Sequence, residues 1–188
     1  MPNTNRRPPL PPLAPRDHGP VRAWIALGAN VGDPVRAVRA AALAVSTLAD
    51  TTVEATSRVR LTSPEGGPAQ PPFANAAIRV RTALSPRALL DALAALERQA
   101  GRAPASARVQ AVNHPRPLDL DLLFYEDVEL STPALTLPHP RLHLRRFVLD
   151  PLCDLDPDLV HPRLGRTVSE LRRACSWGAP DADGKVHQ

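Results

Sequence analysis

The stretch FANAAIRVRTALSP, residues 73–86, holds the pattern that decides the fold, because it joins a strand directly to a helix start. Phe73–Thr82 predicts a strand whose alternate side chains are apolar, and successive strand residues point to opposite faces. Ser85 followed by Pro86 predicts a helix start, since Ser caps the first N–H groups and Pro fits the first helical position. The apolar strand face consists of Ala76, Ile78 and Val80.

The helix that follows is expected to stop at Gly101, a residue type typical of helix C-termini. Its inward side is expected to carry Leu89, Leu90, Leu93 and Leu96. The same unit occurs upstream. Val21–Leu27 predicts a first strand, and Asp33 with Pro34 predicts a helix start by the same capping logic. That helix is expected to run to about Leu48.

The other predicted elements complete an alternation of strands and helices. They are a strand at Thr52–Leu61, a strand at Leu118–Tyr125 with a hairpin return at Val128–Leu130, a short helix at Leu142–Leu149, and a last helix from the capping box at Thr167 to about Ala174. The strand–helix–strand unit occurs twice, which predicts an α+β fold. The expected fold is a ferredoxin-like antiparallel sheet of the split βαβ type with flanking helices on one face.

The length of 188 residues fits one domain with tails. Residues 1–20 hold seven of the 23 prolines and no apolar periodicity, so a disordered Pro-rich tail is expected there. Residues 21–175 are expected to form a single domain, and residues 176–188 a frayed C-terminal tail.

Composition restricts the class of protein. No run of 18 apolar residues is present, so no membrane segment is expected, and residues 1–20 lack the apolar region of a secretion signal. Cys153 and Cys175 have no metal-ligand spacing, so reduced thiols in a cytoplasm are expected. The net charge of +4 is too small to require nucleic acid, and a monomer is expected.

Asp119 and Asp121 are the sharpest chemical feature. Positions i and i+2 of a strand share a face, about 7 Å apart, so two carboxylates there can bind a hard cation through oxygen. The alternative is a solvated polar face on a half-exposed sheet.

Basic residues accompany these carboxylates. Arg116 lies three residues before Asp119 and suits a phosphate, although a simple salt bridge to an Asp is equally open. His139, Arg141 and Arg145 form a second cluster that is either a phosphate site or an ordinary charged helix face. No P-loop motif is present, and Lys185 is the only lysine, so a phosphate-transfer enzyme must use metal and Arg.

Together these motifs resemble the 6-hydroxymethyl-7,8-dihydropterin pyrophosphokinase family of folate biosynthesis. The resemblance covers residues 21–174. It rests on PRPLDLDL at 115–122, LPHP at 137–140, RRFVLDPL at 145–152, ALGANVGD at 26–33, and Ser63-Pro64 with PFANA at 72–76. It implies transfer of pyrophosphate from ATP to the hydroxymethyl group of the pterin, with release of AMP.

The resemblance also implies roles for individual residues. Asp119 and Asp121 would hold two Mg²⁺, and Arg102, Arg108 and Arg116 would be catalytic Arg residues near the phosphates. The expected ATP-binding residues are Glu97, Arg116, His139 and Arg145. The expected pterin-binding residues are Ser63, Pro64, Phe73, Asn75 and Phe147, with the two Phe rings on either side of the pterin.

Two other functions stay open from the sequence. One is a family paralogue with weak or lost activity that acts as a binding protein. The other is an Arg-rich RNA-binding module, which the two Asp residues disfavour because carboxylates without metal repel phosphates.

Overall fold

The computed structural model describes residues 19–64, 69–102 and 115–175. Residues 1–18 of the expected tail at 1–20, the expected tail at 176–188 and the expected catalytic residue Arg108 lie outside them. The strands are β1 (Val21–Ala29), β2 (Thr51–Thr56), β3 (Arg60–Thr62), β4 (Phe73–Thr82), β5 (Asp119–Tyr125), β6 (Leu130–Ser131), β7 (Thr136–Leu137), β8 (Val160–His161) and β9 (Arg166–Thr167). The helices are α1 (Pro34–Val45), α2 (Pro86–Gln99), α3 (Arg146–Leu155) and α4 (Val168–Ala174), with a 3-10 turn at Leu142–Leu144.

The main sheet is antiparallel, with strand order β2-β4-β1-β5 and β3 paired to the other end of β4. The two crossover helices α1 and α2 connect β1 to β2 and β4 to β5. This is the split βαβ arrangement. The expected ferredoxin-like class is therefore confirmed.

Both faces of the sheet are covered, and this corrects the expectation of helices on one face. Val38 of α1 and Leu89 of α2 pack with Ile78 on the first face. Leu149 of α3 and Leu171 of α4 pack on the second face, in a cluster that also holds Trp24 and Phe124. The second helix layer matters for function, because the two carboxylates of β5 share the face on which it packs.

The helix starts agree with the sequence. Asp33 accepts the Arg36 N–H at 3.0 Å, and Ser85 accepts the Ala88 N–H at 3.2 Å. Thr167 and Glu170 form the expected capping box.

Two expected boundaries and one expected buried residue in the first half of the chain were wrong. The strand expected at Thr52–Leu61 is two strands, because Ser57 takes over the pairing: its N–H donates to the Ala77 carbonyl and its hydroxyl accepts from the Ala77 N–H. The helix expected to reach Leu48 ends at Val45. Leu90 is only half-buried, and Glu97 is the third buried residue of α2, with Leu89 and Leu93.

The segments after β5 also differ from the expectation. Leu130–Ser131 pairs with Thr136–Leu137 and not with β5. The helix expected at Leu142–Leu149 is a 3-10 turn followed by α3, which continues through Pro151 to Leu155. Proline disfavours a helix interior, but Pro151 is itself buried on the packed side of α3. The helices found in the described ranges are all too short or too polar to cross a membrane.

Candidate active site

A cavity of about 210 Å³ opens where β1, β4 and β5 meet the N-terminus of α3. Residues from five separate stretches of the chain form its wall. They are Ala26, Leu27, Gly28, Thr62, Ser63, Phe73, Asn75, Ala76, Arg116, Asp119, Asp121, Arg141, Arg145, Phe147 and Val148. The cavity therefore brings the expected carboxylates, arginines and aromatic rings to one place.

The two carboxylates lie on the second face of the sheet. Asp119 pairs with Gly28 and Asp121 with Ala26 across β1, while Leu120 between them is buried on the first face. No three His, Cys, Asp or Glu side chains converge as a metal cage within the ranges described. Two carboxylates nevertheless fit Mg²⁺, which is usually bound by one or two carboxylates together with substrate phosphates and water.

Asp119 is held between two guanidinium groups. Arg102 pairs with both Asp119 and Glu97, and Arg116 pairs with Asp119 from the other side. Burial raises the pKa of Asp119, but the positive charges of Arg116 and Arg102 outweigh it and hold the pKa below its ordinary value. Asp119 is therefore ionised at neutral pH.

Asp121 and Glu97 respond in the opposite direction. Burial and the neighbouring Asp119 charge raise the pKa of Asp121 to about 6. Burial raises the pKa of Glu97 to about 7, against the Leu120 N–H that donates to it at 2.7 Å and against the charge of Arg102. A cation bound beside Asp121 would favour its ionised form and lower its pKa.

The aromatic side of the cavity is formed by Phe73 at the start of β4 and Phe147 in the first turn of α3. Asn75 lies on the same face of β4, and its Nδ2 donates to Thr62 Oγ1 at 2.8 Å. The Arg145 guanidinium carbon lies 5.6 Å from the Phe147 ring centroid, within the range of a cation–π contact. A flat, polar-edged ring fits this wall.

An ion pair joins the two walls of the aromatic side. Arg60 Nη2 donates to Asp154 Oδ1 at 2.8 Å, and Arg60 Nη1 donates to the other oxygen of the same carboxylate. Because Arg60 belongs to β3 and Asp154 to α3, this bidentate pair ties the strand that leads to Thr62 and Ser63 to the helix that carries Phe147.

His139 lies next to the cavity and is not part of its wall. Burial, with the charges of Arg145 and Arg141, lowers the pKa of His139 to about 4, so the ring is neutral at pH 7. Its Nδ1 accepts the Arg141 N–H at 3.3 Å, which leaves the ring proton on Nε2. A neutral Nε2–H is a donor that a phosphate oxygen can accept.

Most of the expected site residues meet at this cavity. Arg116, Asp119, Asp121, Arg145, Ser63, Phe73, Asn75 and Phe147 line it. Glu97 and Arg102 stand directly behind Asp119, whereas Pro64 is not part of the wall. The alternative of an ordinary charged helix face does not hold for Arg141 and Arg145, because both precede α3 and both line the cavity.

The roles of two residues at the site were missed by the sequence reasoning. Thr62 orients Asn75, and Asn30 binds the main chain of Arg116. Asn30 stands in the quoted stretch at 26–33, but neither position indicates its partner, because the partners are 13 and 86 residues away. Arg141 of the basic cluster named from the sequence lines the cavity.

Comparison with known proteins identifies the family to which this chain belongs. The family model described as 7,8-dihydro-6-hydroxymethylpterin-pyrophosphokinase (HPPK) matches residues 24–157. The chain belongs to this family. The resemblance stated from the motifs is thus confirmed, and with it the expected class of enzyme.

Two relatives in the HPPK family align with this chain over most of their own length. The 2-amino-4-hydroxy-6-hydroxymethyldihydropteridine pyrophosphokinase of Synechocystis sp. is 38% identical over 167 residues, which are 86% of this chain and 81% of the relative. The enzyme of the same name from Pseudomonas aeruginosa is 40% identical over 157 residues, 83% of this chain and 93% of the relative.

Solved structures agree in fold. The structure of wild-type Plasmodium falciparum HPPK-DHPS with pteroate has a TM-score of 0.65 at 15% identity, over 82% of this chain. This chain spans 42% of that longer protein. At this identity the likeness supports the HPPK fold alone.

Proposed function

We propose that the cavity carries out the reaction of the HPPK family with the residues found in its wall. The reaction transfers pyrophosphate from ATP to the hydroxymethyl group of 6-hydroxymethyl-7,8-dihydropterin, releases AMP, and belongs to folate biosynthesis. The observation that supports it best is the placement of Asp119 and Asp121 between an Arg-lined side and an aromatic side of one cavity.

Asp119 and Asp121 would hold two Mg²⁺ through their carboxylate oxygens, with phosphate oxygens and water as the other ligands. The bound ions would neutralise charge on the triphosphate and orient it. Arg102 and Arg116 already contact Asp119, so both guanidinium groups would lie close to phosphates that share a metal ion with Asp119. Their forks can stabilise the charge that develops on the transferred group.

The chemical step follows from this arrangement. The pterin hydroxyl oxygen attacks the β-phosphorus in line, a new P–O bond forms, and the bond from the β-phosphorus to the bridging oxygen of AMP breaks. The hydroxyl proton leaves to solvent, and no protein base is assigned. Positioning two substrates in one cavity supplies much of the rate enhancement. His139 Nε2–H and Arg145 would donate to ATP, with Glu97 orienting Arg102 from behind.

Phe73 and Phe147 would stack on the two sides of the pterin, with Asn75 and Ser63 at its edge. Replacing either Phe with Ala is expected to weaken pterin binding about five- to tenfold, from roughly 1 kcal/mol of ring stacking beyond buried area. ATP binding should change less than twofold, because neither ring is expected to contact the nucleotide. Isothermal titration with each substrate separately measures both effects. An equal loss for both substrates would mean that the rings only support the core.

We propose residues 21–175 as the catalytic domain, acting as a monomer in the cytoplasm, where a reduced thiol such as Cys153 is the default. All cavity residues lie between Ala26 and Val148, and the family match at residues 24–157 lies inside residues 21–175. A fragment of residues 19–175 is therefore expected to keep at least half of the full-chain kcat and to sediment as a single chain. Loss of activity in a folded fragment, or a dimer mass, would contradict this.

One assay separates the enzyme from its alternatives. The full chain with ATP, Mg²⁺ and the reduced hydroxymethylpterin should release AMP in amounts equal to the pterin diphosphate formed. Pterin binding without AMP release would instead indicate a binding paralogue. The enzyme names of the relatives favour the enzyme over the binding paralogue, and the two carboxylates in the cavity wall disfavour an RNA-binding module.

A further inference from the structure

Asn30 is a buried amide immediately after β1, with 1% of its surface exposed. Buried polar side chains are costly unless every donor and acceptor is satisfied. Nδ2, Oδ1 and the main-chain N–H of Asn30 all have hydrogen-bond partners, and these partners come from two separate stretches of the chain, one leading to β4 and the other to β5.

The first stretch leads to the aromatic side. Asn30 Nδ2 donates to Gln70 Oε1 at 2.8 Å and to the Pro71 carbonyl at 3.3 Å. Pro71 lies two residues before Phe73, where β4 begins, so these hydrogen bonds fix the entrance of the strand that carries Phe73 and Asn75.

The second stretch leads to the carboxylate side. Asn30 Oδ1 accepts the Arg116 N–H at 2.7 Å, and the Asn30 N–H donates to the Arg116 carbonyl at 3.0 Å. Arg116 lies three residues before Asp119 and pairs with it. These two hydrogen bonds therefore fix the main chain of Arg116 relative to the end of β1.

We infer that Asn30 is a positioning residue that sets the distance between the aromatic side of the cavity, where the pterin would bind, and the carboxylate side, where the phosphates would bind. This rests on the proposed function, since it needs one substrate on each side. Only an amide serves both sides with one side chain, because it donates through Nδ2 and accepts through Oδ1. Without the Asn30 side chain each side of the cavity stays intact, but the distance between the two sides is no longer fixed. In-line attack on the β-phosphorus requires that fixed distance.

The test compares kcat with the affinity for each substrate alone. In the full chain, Asn30→Ala is expected to lower kcat about thirtyfold or more, because misplacement by about 1 Å can cost 10²-fold in rate. The Kd of pterin alone and of MgATP alone should each change less than threefold. Thr51→Val is the control for a lost buried hydrogen bond, since Thr51 bonds Thr82 at the opposite end of β4.

A second pair of variants keeps the inference testable if Asn30→Ala does not fold. Gln70→Leu removes the nearer of the two acceptors of Asn30 Nδ2, whereas Gln70→Glu keeps an acceptor oxygen. Gln70→Leu should lower kcat about three- to tenfold, a part of the Asn30→Ala loss, and Gln70→Glu should restore most of it. Gln70→Leu should also speed hydrogen exchange of the Arg116 amide, because Asn30 Oδ1 then holds that amide less firmly.

Three results would overturn the inference: an unchanged kcat in Gln70→Leu, a parallel fall of kcat and both affinities, or Arg116 amide exchange equal in Gln70→Leu and the unmodified chain. Failure of the proposed function looks different. In that case the unmodified chain would not release AMP, whereas the exchange of the Arg116 amide would still report whether Gln70 acts through Asn30.

Discussion

Replacing Asp119 or Asp121 with Ala is expected to lower kcat for AMP release at least about a thousandfold, equivalent to roughly 4 kcal/mol of transition-state stabilisation. Each carboxylate lies in the cavity, and Mg²⁺ takes few protein ligands, so losing one removes a large share of the protein's hold on the metal. Mg²⁺ affinity in the presence of an ATP analogue should fall in parallel, as measured by calorimetry.

The two substitutions should differ in their effect on folding. Burial and the Asp119 charge raise the pKa of Asp121 to about 6, so its ionised form is less stable in the folded chain than in the unfolded chain at neutral pH, and Asp121→Ala should leave the melting temperature unchanged or raise it. Although burial acts against it, the charges of Arg116 and Arg102 lower the pKa of Asp119, so Asp119 stabilises the folded chain at neutral pH and Asp119→Ala should lower the melting temperature. Asp91→Ala is a matched control, because Asp91 is exposed and pairs only along α2 with Arg87 among the interactions described. Near-normal turnover in either cavity variant at saturating Mg²⁺ would reject the metal assignment.

Replacing Arg116 with Ala is expected to lower kcat about a thousandfold while weakening ATP binding only about tenfold or less, as when an arginine stabilises charge mainly in a phosphoryl-transfer transition state. Arg116 is suited to this because it lines the cavity and its guanidinium is already aimed at Asp119. Arg116→Lys should recover only a small part of the rate, since an ammonium lacks the planar fork.

The control for this variant is Arg87→Ala, an exposed arginine in an i,i+4 pair with Asp91. Steady-state kinetics and ATP titration of Arg116→Ala, Arg116→Lys and Arg87→Ala are each compared with the unmodified chain. If Arg116→Ala raised KM for ATP and left kcat intact, Arg116 would bind the ground state only, and its catalytic role would be rejected.

Much of the local structure could be predicted from the sequence because its causes are local. Capping side chains at Asp33, Ser85 and Thr167 act on N–H groups three residues away, so they mark helix starts reliably. The alternation in Phe73–Thr82 likewise reports its two faces directly. The failures came where distant contacts outweighed local preference, as at Ser57, which pairs with Ala77, and at Pro151, which is buried inside α3.

The candidate site shows the same division. The two Asp residues could be placed on one face by strand geometry, and the motif resemblance supplied Arg116, Phe73 and Phe147. Spacing alone could not show that Arg102 bridges Glu97 and Asp119, or that His139 is neutral beside Arg141 and Arg145. Those properties depend on burial and on charges that the chain brings together only when it folds.

The sequence by itself determined the strand–helix order, the shared face of Asp119 and Asp121, and the family, because each depends on residues close together along the chain. Only the tertiary structure decided that α3 covers the second face of the sheet and brings Phe147 into the wall of the cavity. It also decided that Asn30 joins Gln70 to Arg116 across 40 and 86 residues. Such contacts follow from strand pairing and packing over long separations, which local periodicity does not encode.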